Sequence, residues 1–428
     1  MSERSRLKFV LDLQACQCVS RYRGIGRYSL AFAQTFVDVA RHHDVSVMLN
    51  GMFPEATADL SRQFESVLPP DKILVWQGEG PTAECDPANR GRRERAERSR
   101  EMFLASHAPD FVHVSSLFEG FPDNAVTSVG ESTARVPTAV TVYDLIPLVH
   151  REHYLGHDPS TPISQYYFRK LEYVRRANLN LAISEATRQE LIEWLGLNPS
   201  SVVNISTAAD PMFRPYAPGE LDESSLRARI GVHRPFVMYT GGPDRRKNID
   251  GLIKAWAQLP PALRATHQLA VVCQLSDGHA ASLRTLAREC GMTADELVLP
   301  GFVSDEDLVG LYNLAAVFVF PSWHEGFGLP VLEAMKCGAA VIAANTSSLP
   351  EVVGRADALF DPMRPESIAA ALERTLTDEC FRASLQAHGV ERASLFSWRA
   401  TAQCALDAFE AVGQRRASIP EPACSARS

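Results

Sequence analysis

The sequence predicts an α/β protein built from two doubly wound parallel sheets. Short apolar segments of strand length alternate with helical patterns along most of the 428 residues. A segment rich in proline and charge, 207–234, interrupts this alternation and separates two similar sets of elements. Strands joined through helices pair in parallel, so each set predicts one open sheet covered by helices.

The first half, 1–206, begins with a predicted strand at 7–13, followed by a loop and a helix. One face of that helix repeats at 3.6-residue spacing, and its members are Tyr28, Ala31, Phe32, Thr35, Phe36 and Val39. Further apolar segments predict strands at 45–49, 111–114, 137–144, 179–184 and 201–206. This half is therefore expected to form one doubly wound domain.

The second half, 235–397, repeats the pattern after the predicted linker. Its apolar segments predict strands at 235–242, 269–273, 296–303, 317–322 and 339–344. Ligands of such sheets bind at the carboxyl ends of the strands, so a cleft is expected where the two halves meet. Residues 398–412 predict a helix that packs back on the first domain, and 413–428 predict a disordered tail.

Composition and charge exclude several classes of protein. A net charge of −8 argues against general nucleic-acid binding, which normally needs a basic surface. Nine cysteines lie scattered without a CxxC pair, as expected in a reducing compartment. No apolar segment reaches the roughly 18 residues of a membrane span, and no secretory leader pattern is present. We therefore expect a cytoplasmic protein.

The segment 89–100, "NRGRRERAERSR", is a local exception to the acidic composition. One interpretation is a surface helix whose arginines are offset by Glu94, Glu97 and Glu101. The other is a surface that contacts anionic lipid head groups or an anionic acceptor.

A basic turn opens the second half. The segment "YTGGPDRRKNIDGLIKAW" passes from a strand through glycines to Arg246 and Lys247 and then into a helix. One face of that helix is predicted to be apolar, with Ile249, Leu252, Ile253 and Trp256. Unpaired backbone N–H groups and the helix dipole favour an anion at such a place, so the segment predicts a phosphate site. A solvated basic turn without a ligand is the alternative.

Two glutamates mark the segment "PSWHEGFGLPVLEAMKCG", 321–338. Pro330 and Gly338 predict the start and end of a helix, which places Glu325 on the preceding loop and Glu333 about two turns further along. The pair could be the acid and base of a glycoside hydrolase or the hydrogen-bond acceptors that hold a polyhydroxy ligand. Amides of the glycine-rich helix start again suit a phosphate.

Four motifs in order resemble glycosyltransferase family four, the retaining GT-B sugar-nucleotide transferases. They are "RKN" after the glycine-ended strand, "GFVSDEDLVGLY", "PSWHEGFGLPVLEAM" and "SSLPEVVG". The resemblance covers most of the chain and is strongest over 235–400. It implies two Rossmann-like domains facing across a cleft, an acceptor domain at 1–206 and a nucleotide-sugar donor domain at 235–397.

The resemblance also implies roles for single residues. Glu325 would contact hydroxyls of the donor sugar, and Glu333 would contact the ribose of the nucleotide. Arg246 and Lys247 would neutralise the diphosphate, whose negative charge grows as the sugar leaves. A divalent metal is then not required, and "DED" at 305–307 is expected to belong to a helix capped by Ser304. The other donor-binding positions implied are Gly24, Gly26, Gly242, Val303, Gly326, Phe327, Gly328 and Leu329.

The first half should supply the acceptor side. Gly24 and Gly26 in "SRYRGIGRYS" do not form a dinucleotide fingerprint, because Ser29 replaces the third glycine and the preceding loop is too long. In the family, a glycine-containing loop here approaches the donor diphosphate; a purely structural turn is the alternative.

Tyr143 followed by Asp144 stands where many family members carry His-Asp. Asp144 is expected either to orient a sugar hydroxyl, as a catalytic residue, or to cap the following turn. Tyr143, His150 and Ser184 are acceptor-side candidates, and His150, His153 and His157 lack the pattern of a metal site.

The implied reaction is hexose transfer with retention of configuration to a hydroxyl of a bacterial surface glycan or a lipid-linked glycan. "RGIGRYS" and "YDLIPL" are most similar to bacterial polysaccharide and O-antigen mannosyltransferases, which implies GDP-mannose as the donor. Alternatives are another nucleotide sugar of the UDP-glucose or UDP-GlcNAc type, a sugar-nucleotide epimerase, or a non-catalytic binding subunit. Peripheral contact with the inner face of the plasma membrane is also expected, whereas the oligomeric state is not predicted.

Overall fold

A computed structural model describes residues 6–417 as helices, strands and connecting loops. Its strands, in chain order, are β1 (Lys8–Asp12), β2 (Asp44–Asn50), β3 (Ile73–Trp76), β4 (Phe111–Val114), β5 (Thr138–Val142), β6 (Leu179–Ala182), β7 (Val202–Asn204), β8 (Phe236–Thr240), β9 (Gln268–Val272), β10 (Leu297–Val298), β11 (Val317–Phe320), β12 (Val341–Ala344) and β13 (Leu359–Phe360).

The α-helices alternate with these strands, as the sequence predicts. They are α1 (Gly24–Val39), α2 (Pro54–Phe64), α3 (Arg90–Ser106), α4 (Ile146–Val149), α5 (Arg151–Tyr154), α6 (Pro162–Arg176), α7 (Glu185–Leu195), α8 (Glu223–Ile230), α9 (Ile249–Ala257), α10 (Pro261–Thr266), α11 (Asp277–Glu289), α12 (Asp305–Leu314), α13 (Leu329–Lys336), α14 (Leu349–Val353), α15 (Pro365–Thr377), α16 (Glu379–Ala393) and α17 (Trp398–Ala417).

The chain divides into two compact units. The first unit runs to Thr207 and resumes at Trp398, and its seven strands form one sheet in the order β3-β2-β1-β4-β5-β6-β7. All of its strand pairs are parallel, and β4 and β5 are buried along their whole length. Such uninterrupted burial is typical of a parallel sheet covered on both faces.

Helix α17 belongs to the first unit. The ring of Phe409, fully buried, lies 5.2 Å from that of Phe9, 5.8 Å from Phe36 and 5.3 Å from Phe111, centroid to centroid. The helix runs to Ala417, so the predicted disordered tail is wrong for 413–417; residues 418–428 lie outside the described residues.

The second unit runs from Ala208 to Ser397, and its six-stranded parallel sheet has the order β10-β9-β8-β11-β12-β13. The predicted linker at 207–234 needs correction, because most of it folds with this unit. Within it, helix α8 buries Leu226 and Ile230, and Leu226 packs so closely on Gly310 of α12 that a Cβ there would lie 2.7 Å from its Cδ2.

Three strands differ from the sequence prediction. Strand β3 lies at the edge of the first sheet and β13 at the edge of the second, and neither was predicted. Strand β13 has only two residues, and β3 is incompletely buried, as expected of an edge strand. Strand β10 has two residues where 296–303 was predicted, because Pro300 and Gly301, the latter at φ 79°, turn the chain away.

The arginine-rich segment forms the start of helix α3. Three of its six arginines are exposed, namely Arg90, Arg95 and Arg98. Arg100 is fully buried, and its Nε donates a 2.7 Å hydrogen bond to Asp12. The predicted offset by glutamates is present in part, because Arg90 pairs with Glu94 at 2.9 Å. Contact of the exposed arginines with anionic lipid head groups stays a prediction.

No helix of the described chain, 6–417, combines the length and apolar character needed to cross a membrane.

We predict that Phe409→Ala lowers the free energy of unfolding of the first unit by about 3–5 kcal/mol, because it leaves a cavity among aromatic rings. Urea denaturation followed by tryptophan fluorescence measures this. The control is Gln414→Ala on an exposed position of the same helix, which should change stability by less than about 0.5 kcal/mol. Equal effects of the two changes would contradict the role of α17 in this core.

Candidate functional site

The second sheet reverses its strand order between β8 and β11, which pair directly with Val237 opposite Val317. The chain leaves these two strands at the same edge of the sheet and turns away in opposite directions. A crevice forms at such a point, and ligands of open α/β sheets bind there. The segment after β8 carries Arg246 and Lys247, and the segment after β11 carries Glu325.

The basic turn is held rigidly from both ends. Asp244 accepts a 2.9 Å hydrogen bond from the backbone N–H of Arg246, which starts a short 3₁₀ turn over Arg245–Lys247. Asn248 then adopts the left-handed conformation, and its amide group donates to the carbonyl oxygens of Pro321 (3.2 Å) and Pro362 (2.7 Å). The predicted buried face of the following helix α9 is confirmed, with Ile249, Leu252, Ile253 and Trp256 all in the core.

The central contact joins Glu325 to both cations. Lys247 Nζ donates to Glu325 Oε1 at 2.5 Å, and Arg246 Nη1 lies 2.9 Å from the same oxygen. Arg246 Nη1 also donates to the carbonyl oxygen of His324 at 2.8 Å. The sequence predicted these side chains for one site but did not predict that they pair with each other.

Charge balance keeps Glu325 ionised. Glu325 is 7% exposed and Lys247 8% exposed. Burial alone would raise the pKa of Glu325, but Lys247 and Arg246 outweigh it and hold that pKa below its usual value. An ionised carboxylate between two cations cannot donate a proton, so the geometry disfavours the general-acid role required of one carboxyl group in a glycoside hydrolase.

The glycine-rich turn after Glu325 has a fixed backbone. Ser348 Oγ donates to the carbonyl oxygens of Glu325 (3.0 Å) and Phe327 (2.8 Å). Gly328 caps α13 at φ 102°, and a Cβ there would lie 2.6 Å from Leu349 Cδ2, so the position requires glycine. The Phe327 ring is buried and its centroid lies 5.6 Å from that of Phe396, and contact of the Phe327 amide with a donor phosphate stays a prediction.

Glu333 has a separate partner. Tyr312 Oη donates to Glu333 Oε2 at 3.0 Å, so the two glutamates are held by different groups. Burial and then the nearby Glu333 carboxylate raise the pKa of Tyr312 well above its usual value, which keeps this phenol protonated as a donor.

The predicted cap of α12 is confirmed, because Ser304 Oγ accepts from Asp307 N at 3.1 Å.

The other predicted donor-side residues surround this edge with less definite geometry. Gly242 is exposed after β8, and its carbonyl oxygen accepts from Tyr239 Oη at 3.1 Å. Val303 is half-buried on the turn after β10, Gly326 is buried beside Glu325, and Leu329 is the half-buried first residue of α13. Contact of these residues with a donor stays a prediction.

The first sheet also reverses its strand order, between β1 and β4. After β1 comes the segment 17–26, here called the glycine loop. Gly26 lies where a Cβ would come within 2.3 Å of Ser20 O and 2.5 Å of Arg21 O, whereas a Cβ on Gly24 would meet nothing within 4 Å. The two glycines therefore differ: close backbone packing requires Gly26, and Gly24 is free of that constraint.

The acceptor-side candidates are mostly held by the fold. Tyr143 Oη donates to Ser115 O at 3.0 Å and lies 3.0 Å from Ser29 Oγ, and burial raises its pKa well above the usual value, which excludes it as a base at neutral pH. Asp144 Oδ1 accepts from Ile146 N at 2.9 Å, as expected of a turn cap. His150 is half-buried between α4 and α5, and its N–H donates to Ile146 O at 2.9 Å.

Ser184 requires a correction. It is fully buried, and its hydroxyl accepts from Thr187 N at 3.0 Å as the cap of α7. A side chain without exposed surface that caps a helix positions backbone and does not contact an acceptor.

One group of side chains within 6–417 is close enough to share a cation, and it lies elsewhere in the first unit, at His42, His43 and Glu410. His43 Nδ1 accepts from Leu7 N at 3.1 Å, so the neutral ring carries its proton on Nε2, 3.2 Å from Glu410 Oε1. This arrangement is a hydrogen bond that ties α17 to the start of β2, and a metal at Nε2 would have to displace that proton.

Sequence reasoning missed Glu119. This carboxyl group is 3% exposed in the segment after β4, directly at the strand-order reversal of the first sheet. Its signal in the sequence was weak, a single acidic residue in "SSLFEGF", because only the pairing of β4 with β1 brings it beside the glycine loop.

Comparisons with known proteins fit these observations. The family described as "Glycosyltransferase Family 4" matches residues 22–213, and the one described as "Glycosyl transferases group 1" matches 223–392. The "Serotype-specific mannosyltransferase WbdA" of Escherichia coli is 36% identical over 404 residues, which are 94% of this chain and 48% of that protein. The chain thus spans about half the length of this relative.

A second relative is matched over most of its length. The "O-antigen chain mannosyltransferase B" of Escherichia coli is 31% identical over 276 residues, 64% of this chain and 71% of that protein. Among solved structures, Anabaena HepE with UDP and glucose has a TM-score of 0.67 at 17% identity, covering 95% of this chain and all of that one. WaaG, "a glycosyltransferase involved in lipopolysaccharide biosynthesis", has a TM-score of 0.64 at 16% identity over 93% and 98% of the two chains. The predicted GT-B fold class is confirmed.

We predict that Glu325→Gln lowers the free energy of unfolding of the second unit by about 3–5 kcal/mol at neutral pH, because Lys247 and Arg246 lose their counter-charge. The folded pKa of Glu325 is lowered, so its contribution is present above the usual value of 4.5 and is lost as pH falls. Urea denaturation followed from about pH 7 down to about pH 2.5, across the interval below 4.5 in which the wild type loses this contribution, should therefore show less acid sensitivity in the variant. Glu373→Gln, at an exposed carboxylate on α15, is the control, and identical pH profiles of Glu325→Gln and wild type would refute the pairing.

We further predict that Gly26→Ala destabilises the first unit by about 1–3 kcal/mol, because its Cβ would overlap the backbone of Ser20 and Arg21. Gly24→Ala is the matched control, with an expected change below about 0.5 kcal/mol. Thermal and urea unfolding of both variants measure this difference. Similar losses in the two would show that the clash at Gly26 is relieved without cost.

Proposed function

Because the chain belongs to glycosyltransferase family 4, within the group 1 glycosyltransferases, we propose that it transfers a hexose from a nucleotide sugar to a glycan hydroxyl with retention of anomeric configuration. The proposed donor is GDP-mannose. The proposed acceptor is a growing bacterial surface glycan of the O-antigen or capsule type, free or linked to a lipid.

The observation that carries this proposal is the cluster of Arg246, Lys247 and Glu325 at the strand-order reversal of the second sheet. The turn carries three cations, Arg245, Arg246 and Lys247. Two carboxylates pair with them, Glu325 and Asp244, the latter 3.8 Å from Arg246, so one net positive charge is left over. Departure of a nucleoside diphosphate builds negative charge, and fixed cations stabilise that charge more in the transition state than in the ground state. We propose that these cations act without a divalent metal.

Glu325 is assigned to donor positioning. Its carboxylate is already paired with Lys247 and Arg246, which restrains it as a nucleophile and aligns it for hydrogen bonds from sugar hydroxyls. In the proposed reaction the acceptor oxygen attacks the anomeric carbon on the face from which the diphosphate leaves. The carbon–oxygen bond to phosphate breaks, and the hydroxyl proton passes to the departing phosphate oxygen.

The donor assignment rests on the relatives. The WbdA proteins and mannosyltransferase B of Escherichia coli are named as mannosyltransferases, which supports mannose as the sugar. HepE was solved with UDP and with UDP-glucose, and likeness at 17% identity shows the fold alone. UDP-glucose and UDP-GlcNAc are therefore the alternatives to include in a test.

On the acceptor side, the proposed contacts are reduced to those that the geometry permits. Asp144 and His150 are half-buried and remain candidates for contact with the acceptor. Tyr143 is proposed to support the acceptor site through its hydrogen bond to Ser115 O. The exposed Arg95, Arg98 and Met102 of α3 support a proposed peripheral contact with the cytoplasmic face of an anionic membrane.

We predict that Lys247→Ala lowers kcat/KM for transfer by about 10²–10³-fold, because the departing diphosphate loses a fixed cation. Lys254→Ala, an exposed lysine on the following helix, is the matched control and should stay within about twofold. The assay follows the GDP that is released only when an acceptor glycan is present. NMR of the product establishes whether the anomeric configuration is retained. Transfer should be unaffected by EDTA.

The donor is tested separately by thermal stabilisation with GDP-mannose, UDP-glucose and UDP-GlcNAc, since a ligand of the folded state raises the melting temperature. If only a UDP-sugar stabilises the protein, that sugar nucleotide replaces GDP-mannose as the proposed donor. Near-normal transfer by Lys247→Ala would contradict the proposed role of this cation in the first test.

A further inference from the structure

The first sheet carries a buried carboxyl group at its strand-order reversal that the proposed mechanism does not use. Strands β1 and β4 pair there, with Asp12 opposite Val114. The glycine loop follows β1, and the segment 115–123, which contains Glu119, follows β4.

Glu119 and Asp123 hold three consecutive residues of the glycine loop. Glu119 Oε2 accepts from Cys18 Sγ at 3.1 Å and from Ser20 Oγ at 2.9 Å. Asp123 Oδ2 accepts from the backbone N–H of Val19 at 2.9 Å. With Glu119 only 3% exposed, its two hydrogen bonds lie inside the protein and are shielded from competing water, whereas the bond from Val19 to Asp123 is exposed.

The position of Ser20 in turn determines where helix α1 begins. Its carbonyl oxygen accepts from Arg23 N at 2.9 Å and from Gly26 N at 3.2 Å. The same oxygen would lie 2.3 Å from a Cβ on Gly26. A displacement of Ser20 is therefore passed to the first turn of α1 through direct contacts.

We infer that Glu119 is a positioning residue: its carboxyl group holds Cys18 and Ser20 and thereby fixes the glycine loop and the first turn of α1. The attachment rests on the contacts above. Its effect on the donor rests on the proposed function and on the family resemblance, which implies that this loop approaches the donor diphosphate.

The surroundings of Glu119 favour its neutral form. Burial raises its pKa, hydrogen bonds from Cys18, Ser20 and Ser116 oppose the rise, and the charge of Asp123 adds to it. The other titratable groups that interact with it are Cys16 after β1, Tyr143 after β5 and Tyr166 on α6. Burial raises the pKa values of Cys16, Cys18 and Tyr166 as well, so these groups stay neutral beside Glu119. A thiol or a phenol is never positively charged, so none of them compensates a charge on Glu119.

The first test measures the loop without measuring activity. Alkylation of Cys18 by iodoacetamide, resolved by mass spectrometry, should become about tenfold faster in Glu119→Ala, because the two hydrogen bonds from Glu119 no longer hold the segment. The exposed Cys85 is the internal reference. Ser20→Ala removes one of the two bonds from the other side and should give a smaller change in the same direction.

The second test separates positioning from general stability. Glu119→Ala should raise the donor KM about tenfold, and Glu119→Gln, which keeps an acceptor oxygen at the same place, should stay within about threefold. The control is Glu101→Ala. Glu101 is 8% exposed and accepts from Ser128 Oγ and the N–H groups of Glu131 and Ser132, away from the glycine loop. It should lower stability without changing the donor KM or Cys18 alkylation.

A pH series adds a signature specific to this carboxyl group. The folded pKa of Glu119 is raised, so its contribution to stability is present below the usual value of 4.5 and is lost as pH rises through the folded value. Glutamine does not titrate. As pH rises through the folded pKa of Glu119, the unfolding free energy of the wild type should therefore fall relative to that of Glu119→Gln.

Unchanged Cys18 alkylation in both Glu119→Ala and Ser20→Ala would overturn the inference, as would equal effects of Glu101→Ala. Absence of transfer by the wild type with every donor would instead overturn the proposed function, and the alkylation result would still decide the attachment of the loop.

Discussion

The reversal of strand order in each parallel sheet is the constraint on which the rest of the structure depends. In both units two neighbouring strands, β1 with β4 and β8 with β11, send their following segments to opposite sides. Loops at that edge leave space between them, and side chains distant in sequence meet there. Arg246 and Lys247 lie 79 and 78 positions from Glu325 along the chain and meet it only because of this pairing.

The electrostatics of the second unit follow from that meeting. A single carboxylate shared by a lysine and an arginine stays ionised when buried, because both cations favour its charged form. A fixed charge with restricted access to water, such as that of the buried Lys247, acts on an anion more strongly than it would in bulk solvent. The stability of the second unit and its proposed affinity for a diphosphate therefore depend on the same three side chains.

The sequence was informative where a local pattern was sufficient. The helical face of Ile249, Leu252 and Trp256 and the cap at Ser304 are set by neighbours within a few positions, and both were predicted correctly. The Lys247–Glu325 ion pair and the contacts of Glu119 depend on strand register, which no local pattern specifies. Ser184 was misjudged for the same reason, since its complete burial is a property of the assembled fold.

Helix α17 has a consequence for the order in which the protein is made. The rings of Phe9, Phe36 and Phe111 reach the ribosome exit early, whereas Phe409, which completes their packing, is synthesised after the entire second unit. The first unit must therefore wait with an incomplete core while the second folds as an uninterrupted stretch of chain. During translation this exposed aromatic surface is a natural point for chaperone binding, and the final helix closes it.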